Sequence, residues 1–434
     1  MKRKDFMAMG AGAFMLPSLV QRTTGLQKTE RPNLTERDQA YAGRLERLGG
    51  MSLQELRDYH EDYLLNTYIP NWDRGVDWEY GGFANVIRPG DEPDFSSKRM
   101  YHQGRAVWVF SYLYNHITGD EKHLEAAIRG RDFLVEHALD EQYRWRSFMS
   151  RRGEPETGPL DHYGDIYMVQ GLTELYKATG NREDLDLAIK SAHSVMDRLV
   201  SPTYQHIEAH VTALEPGTRR LPSWQHFLNA LTPLLRVKPD PAIEKIAFYC
   251  VRVICQHHWR PDLGVLLEIL DDHFRPYTMD GTNWGVRSGS SHGAVSGWHS
   301  IQACFMVMEE ALRAGHLPTY RQGVEMGMAT LDKLYLDGQG LGGMSNPGAG
   351  PSPEGSFAWG ALDDMLVYCL IAIEHSHEPM AIDYYNKCFA LHNSKPENFV
   401  IQGLLHHPRR FFYSIEILDR MIERGGRVSG VFSN

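Results

Sequence analysis

The sequence is poor in cysteine for its length, with five in 434 residues, an odd number, and no C-x-x-C pair. That count argues against a disulfide framework or a thiolate zinc site. Cys250, Cys255, Cys304, Cys369 and Cys388 mostly sit in apolar helical runs, where buried free thiols are expected. Positive charge is also scarce: the formal net charge is −10, and basic pairs such as Arg151-Arg152 and Arg409-Arg410 stand alone. Nucleic acid and anionic membrane are therefore poor partners, because phosphate binding needs a clustered basic surface. No segment beyond the amino terminus is long and apolar enough to span a bilayer. Sustained strand alternation is missing too, so nothing points to a parallel sheet.

What is present is helical periodicity. QGRAVWVFSYLYNHI, YGDIYMVQGLTELYKATG, DLDLAIKSAHSVMDRLV, AIEKIAFYCVRVICQHHW, GWHSIQACFMVMEEALRAG, DMLVYCLIAIEHS and FFYSIEILDRMIERG all place apolar residues at i, i+3, i+4 and i+7. Gly180 and Gly315 end two of these runs, as C-capping glycines do. Between the runs lie short Gly- or Trp-rich stretches: YGGFANV, YRWRSFM, LGVLLEI and GLGGM. They recur about every 55 to 80 residues, each followed by a helix pair, which indicates a repeated helical hairpin with a short β-excursion at one end. Six hairpins of roughly 60 residues would use the chain as one closed ring. The boundaries expected are an export signal at 1–25, a linker at 26–49, a single barrel domain at 50–425 and a tail at 426–434. The signal is read from MKRKDFMAMGAGAFMLPSLVQ, a basic start and a short apolar stretch with a twin-arginine-like or Sec character, and it implies a periplasmic or exported protein. The loop SNPGAGPSPEGS at 345–356 is placed to cap a site. Aromatic residues reach 11%, with 9 Trp and 21 Tyr, a surplus that suits stacking on sugar rings.

Several clusters can carry chemistry. Gly289-Ser290-Ser291-His292-Gly293 matches G-x-S-x-G in form, but the strand that a nucleophile elbow needs before it is lacking. His206-Ile207-Glu208-Ala209-His210 spaces two histidines at i and i+4 without the zincin order, and surface histidines are the simpler account. His406 and His407 precede Pro408 and Arg409 at the start of a helix, and His292 sits ahead of another. Two loop histidines at helix amino termini can converge at one end of a ring.

At these residues the chain resembles the N-acylglucosamine 2-epimerase family, which includes cellobiose 2-epimerases and mannose isomerases. YGGFANV with KRMYHQGRAVWVFSYLY resembles that family's Gly-Gly-Phe turn and Arg-x-x-Trp helix. WQHFLNAL is similar to its His-x-x-Glu-Ala helix at His226, with Asn229 in the glutamate's place. SHGAVSGW pairs His292 with Trp298, FAWGALDDML offers Trp359 and Asp363, and LLHHPRRFF offers His406, Pro408 and Arg409. The resemblance implies an all-α fold, an (α/α)6 barrel with short β-hairpins at one end. It implies that His292 and His406 act on opposite faces of an open-chain sugar while Arg105 holds the developing oxyanion. The physical logic holds independently: an enediolate needs a cation or donors, and imidazoles can serve as base and acid on its two faces. No cofactor and no metal is required. His226, Trp298, Trp359, Arg409, His102 and Asp363 are the expected substrate contacts.

One departure stands out. Where the family carries a glutamate one turn after the first histidine this chain has Val295, which cannot orient an imidazole; Asp363 or Asp364 is the available substitute. Three readings therefore stay open. The first is a sugar epimerase or aldose–ketose isomerase. The second is a dehydratase or lyase on uronic-acid oligosaccharides, drawing on His102 and His162, with two-carboxylate hydrolysis as a variant. The third is a carbohydrate-binding barrel without catalysis. The expected partner is a mono- or oligosaccharide, and a homodimer is compatible with the sequence.

Overall fold

Helix starts follow the capping residues in the sequence. Ser52 and Glu55 form a capping box, each side chain meeting the other's backbone N–H. The side chains of Asp120, Asn181 and Asp240 accept from the first backbone donors of three later helices. Gly180 and Gly315 close two others at φ 67° and 64°, left-handed geometry that costs glycine nothing, as the sequence indicated.

The computed structural model describes residues 43–85, 87, 90–207, 216–276, 294–346, 349–352, 359–394 and 406–431. The segment expected to be an export signal, 1–25, lies outside them, as does most of the expected linker. Leu45–Asn434 is one compact unit. Among the described residues its long helices are α1 Leu53–Tyr63, α2 Met100–Tyr112, α3 Glu121–His137, α4 Tyr163–Thr179, α5 Arg182–Val200 and α6 Leu221–Val237. They continue as α7 Pro241–Val253, α8 Gly297–Ala314, α9 Leu317–Leu334, α10 Trp359–Ser376, α11 Pro379–Asn393 and α12 His406–Glu423.

Even- and odd-numbered helices differ in kind. In α4 every residue from Tyr163 to Leu175 is buried, whereas α5 buries one stripe through Leu185, Ala188, Ala192, Val195 and Leu199. A helix apolar all round belongs inside, and an amphipathic one covers it. Each fully buried Leu or Val contributes roughly 1.5–3 kcal/mol. The even-numbered helices pack on one another in sequence, α2 on α4 and so on to α12. Phe412 of α12 closes the ring by stacking on Tyr112 of α2, ring centroids 4.4 Å apart. The fold is therefore the expected (α/α)6 barrel, six inner helices inside six outer ones.

Short strand pairs gather at one end. Ser97–Arg99, just before α2, pairs with Phe148–Ser150, ahead of α4. Arg219–Arg220, before α6, pairs with Ile269–Leu270, and Val295–Ser296, before α8, pairs with Gly343–Met344. Since one outer helix returns between each two successive inner ones, the inner helices run parallel and all six inner amino termini face this end. Val295 is thus in a strand and fully buried, not one helical turn beyond residue 292, and α8 begins only at Gly297. Likewise α12 begins at His406, earlier than the Pro408–Arg409 start read from sequence. Of the 345–356 loop, Ser352 is seen pairing with Gly343. All five cysteines are buried and free, and among the described residues no helix is long and apolar enough to cross a membrane.

Because Phe412 is wholly buried at the point where the last inner helix meets the first, Phe412→Ala is expected to lower stability by about 3–5 kcal/mol. Urea unfolding followed by far-UV circular dichroism measures this; a loss below about 1 kcal/mol would show that closure does not depend on this stack.

Candidate active site

The amino-terminal end of the inner ring concentrates the polar groups. Asp364, in the first turns of α10, is completely buried. Its Oδ2 accepts from Trp298 Nε1 at 2.7 Å, Gln302 Nε2 at 2.6 Å and His406 Nδ1 at 2.9 Å, and its Oδ1 accepts from Arg409. Gln225 Nε2 donates to Gln302 Oε1 at 2.7 Å, which fixes the orientation of the Gln302 amide. Burial opposes the Asp364 charge, but Arg409, His406 and Trp298 outweigh it and hold the carboxyl at about 2. Burial lowers His406 to about 4 against the pull of Asp364, with Arg409 and Arg105 adding to the decrease. The ring is therefore neutral at physiological pH, with its proton on Nδ1 and a basic Nε2. Gly360 makes this approach feasible: a Cβ there would lie 2.4 Å from the Trp298 ring and 2.9 Å from His406.

Arg105 enters from α2. Its guanidinium lies over the rings of Tyr101 at 3.7 Å and Tyr167 at 4.2 Å and donates to the Tyr167 hydroxyl at 2.6 Å. Burial works against its charge, but the two tyrosine oxygens more than compensate and raise it, so it stays cationic. His226, from α6, has its ring 5.6 Å from that of Tyr167, and its Nδ1 has no hydrogen-bond partner. Burial first, then Arg105, Arg409, His299 and His406 nearby, push it well below the ordinary histidine range. It is a neutral imidazole between two cations.

A second carboxylate–imidazole pair was missed from the sequence. His299 Nδ1 lies 2.9 and 3.0 Å from the two oxygens of Glu268, which is fully buried and 3.6 Å from Arg220. The signal was legible: a lone acid within LLEIL must be buried, and a buried carboxylate needs a partner. The His299 ring lies 6.1 Å from that of Trp298, which in turn is 4.8 Å from that of His406.

Some expectations need correcting. Asp363 does not face the site. It is buried against the outer layer, where His407 Nδ1 at 2.5 Å, Arg410 Nε at 3.1 Å and His392 Nε2 at 3.5 Å surround it. Residues adjacent on a helix point about 100° apart, so Asp363 and Asp364 meet different sets of partners. These three metal-ligating side chains lie within 4.8 Å of one another, but Arg410, whose Nη1 is 3.1 Å from His392 Nε2, already supplies the positive charge. Arg409 is fully buried and grips Asp364. Trp298 is half-buried and donates to Asp364. His102 packs edge-on against Tyr101 in the first turn of α2. His162, the other extra candidate, spans Tyr204 at 3.2 Å and Ser223 at 2.9 Å. His292, Glu208 and His210 lie outside the described residues, as does the side chain of Trp359.

A cavity of about 440 Å³ opens at the opposite end of the inner helices, and Asn229, one turn beyond His226, lines it. Its charged walls are internally paired, as in Arg236 with Glu309 at 2.8 Å and Lys177 with Glu174 at 2.6 Å. His116, which also lines it, belongs to the same paired network, with Nε2 2.9 Å from Glu174.

The depressed His406 gives a direct check. In a pH titration by histidine ¹⁵N NMR, His406 is expected to change charge near 4. Asp364→Asn removes the group that raises it, so the midpoint should move lower still. A midpoint near the usual histidine value of about 6.5 would contradict the burial of this ring.

No family model matches the chain. The cellobiose 2-epimerase of Dictyoglomus turgidum is 32% identical over 277 residues, 61% of this chain and 67% of that one. The N-acylglucosamine 2-epimerase of Bos taurus is 22% identical over 260 residues, 58% of this chain and 60% of its own. The alignments thus span about two thirds of these relatives' lengths. Among solved structures, the cellobiose 2-epimerase of Bacillus thermoamylovorans superposes with a TM-score of 0.70 at 16% identity, covering 84% of this chain and 99% of that one. At that identity the superposition speaks for the fold, and the sequence match to the Dictyoglomus enzyme for the kinship. With the barrel and this sequence match together, the chain belongs to the family of N-acylglucosamine and cellobiose 2-epimerases.

Proposed function

We propose that the protein is a carbohydrate 2-epimerase or aldose–ketose isomerase that removes the proton alpha to the carbonyl of an open-chain mono- or oligosaccharide. The observation that supports this most is His406: a neutral imidazole whose Nδ1 is fixed on a buried carboxylate, on the same ring of helix amino termini as the stacked cation Arg105. His406 Nε2 takes the C2 proton. The C–H electron pair becomes the C1–C2 double bond, and the carbonyl oxygen becomes an enediolate oxygen that Arg105 and the helix amino termini stabilise. Return of a proton to the opposite face of C2 gives the epimer; protonation at C1, with the O2 hydroxyl proton passing to O1, gives the ketose. The resemblance assigns the opposite face to His292. Trp298, between the site residues of α8 and α12, offers an indole against which a sugar ring can stack.

In D₂O, solvent deuterium is expected at C2 of at least one of mannose, N-acetylmannosamine and cellobiose, read by ¹H NMR. His406→Asn should lower that rate about 10²–10⁴-fold and Arg105→Gln about 10²–10³-fold, with the fold retained. No exchange into any of the three by the wild-type protein would refute the reading, and an unsaturated product absorbing in the near ultraviolet would replace it by elimination. The basic and apolar start of the chain supports export; recovery in the periplasmic or extracellular fraction of an expressing cell is the expected outcome, and purely cytosolic recovery the contrary one.

A further inference from the structure

The cavity of about 440 Å³ at the carboxyl ends of the inner helices takes no part in the chemistry above, and its walls change in kind with depth. The outer wall comes from the last turns of the helices and is charged, but its charges are neutralised within the protein. Lys177 meets Glu174 at 2.6 Å, Arg236 meets Glu309 at 2.8 Å, Arg313 meets Glu310 at 2.8 Å and Arg420 meets Glu374 at 2.8 Å. The inner wall is uncharged. Trp108, Gln170 and Asn229 lie three residues beyond Arg105, Tyr167 and His226 respectively, about 4.5 Å further along the axis, and Tyr112 and Tyr413 add two phenols. Asn229 is the decisive group: it is 8% exposed, it lines the cavity, and its Nδ2 has no hydrogen-bond partner among the described residues. A buried amide donor left unpaired is costly, and an acceptor bound in the cavity would remove that cost.

We infer that this cavity is a second ligand site, for an uncharged mono- or disaccharide, separate from the catalytic end. Anions are disfavoured there, because the carboxyl ends of the inner helices carry the negative end of the helix dipole and Glu174, Glu309 and Glu416 line the walls. A cation would find those carboxylates engaged, Glu174 and Glu309 by their ion pairs and Glu416 by the Tyr112 hydroxyl. Sugar hydroxyls both donate and accept, so they can meet the Asn229 donor and the Gln170 amide together. The apolar face of a pyranose ring can pack against Trp108 or Tyr112. The volume lies within the range of small-molecule sites, roughly 300–1,000 Å³. The inference concerns binding only and does not rest on the epimerase reading.

Fluorine NMR of the full-length protein labelled with 5-fluorotryptophan tests this, because Trp108 lines the cavity and Trp298 lies at the catalytic end, on Asp364. Trp108→Phe and Trp298→Phe assign the two resonances. Added mannose, N-acetylmannosamine or cellobiose is expected to move the Trp108 resonance with a midpoint of its own, distinct from any midpoint at Trp298, while inorganic phosphate leaves it in place. Asn229→Leu should weaken the Trp108 response about tenfold while any response at Trp298 stays within about threefold of the wild type. If that variant does not fold, Gln170→Leu takes the same measurement. The inference is overturned if none of the three sugars moves the Trp108 resonance, if it moves only in step with Trp298 at one shared midpoint, if the folded variant responds as the wild type does, or if phosphate moves it. Whether Trp298 responds at all bears on the epimerase reading alone.

Discussion

The site depends on one buried carboxylate. Asp364 sits where no water can solvate it, and an unpaired charge there would cost several kcal/mol or more. It is tolerated because four donors of four side-chain types close on it: an indole, an amide, an imidazole and a guanidinium. They come from α8 and α12, so satisfying the charge also fixes the spacing of the inner helices on either side of α10. His406 acquires its tautomer as a consequence, since the nitrogen nearest the carboxylate must carry the proton. Arg409 belongs to the same constraint: it neutralises the acid that orients the base.

The barrel supplies the electrostatic setting. Six parallel inner helices present their amino termini, with their unsatisfied N–H groups, to one end. That end also carries Arg105 and is lined by imidazoles that burial keeps neutral, as His226 and His406 illustrate. A negative intermediate is favoured there, while the bases are not lost to protonation. At the carboxyl ends the charged side chains pair among themselves around a separate cavity, and the sign of the helix dipole is reversed.

Substitution at position 295 shows how such a site can be rearranged. A valine in a paired strand, facing Met344, satisfies packing where an acid would have served chemistry. A buried acid beside that strand is Glu268, on the β-excursion ahead of α8, whose backbone N–H donates to Ala294 and whose side chain meets His299.

Much of this was written in local sequence. Apolar spacing marked the helices, Gly180 and Gly315 marked helix ends, and the recurrence of Gly- and Trp-rich turns gave the six-fold plan. Arg105, His226, Trp298 and His406 were legible through short motifs around them. The partners were not. Asp363 and Asp364 are adjacent and chemically identical in sequence, and only the rotation of α10 in the closed ring decides that one faces His406 and the other His407, His392 and Arg410. Glu268 and His299 are separated by 31 positions, and no periodicity joins a loop acid to a helix histidine. Sequence determined which segments are helical and which faces are apolar, because those are local preferences summed over a few turns. The tertiary structure decided which acid holds which imidazole, because that depends on desolvation and on approaches of about 3 Å that exist only once the ring has closed.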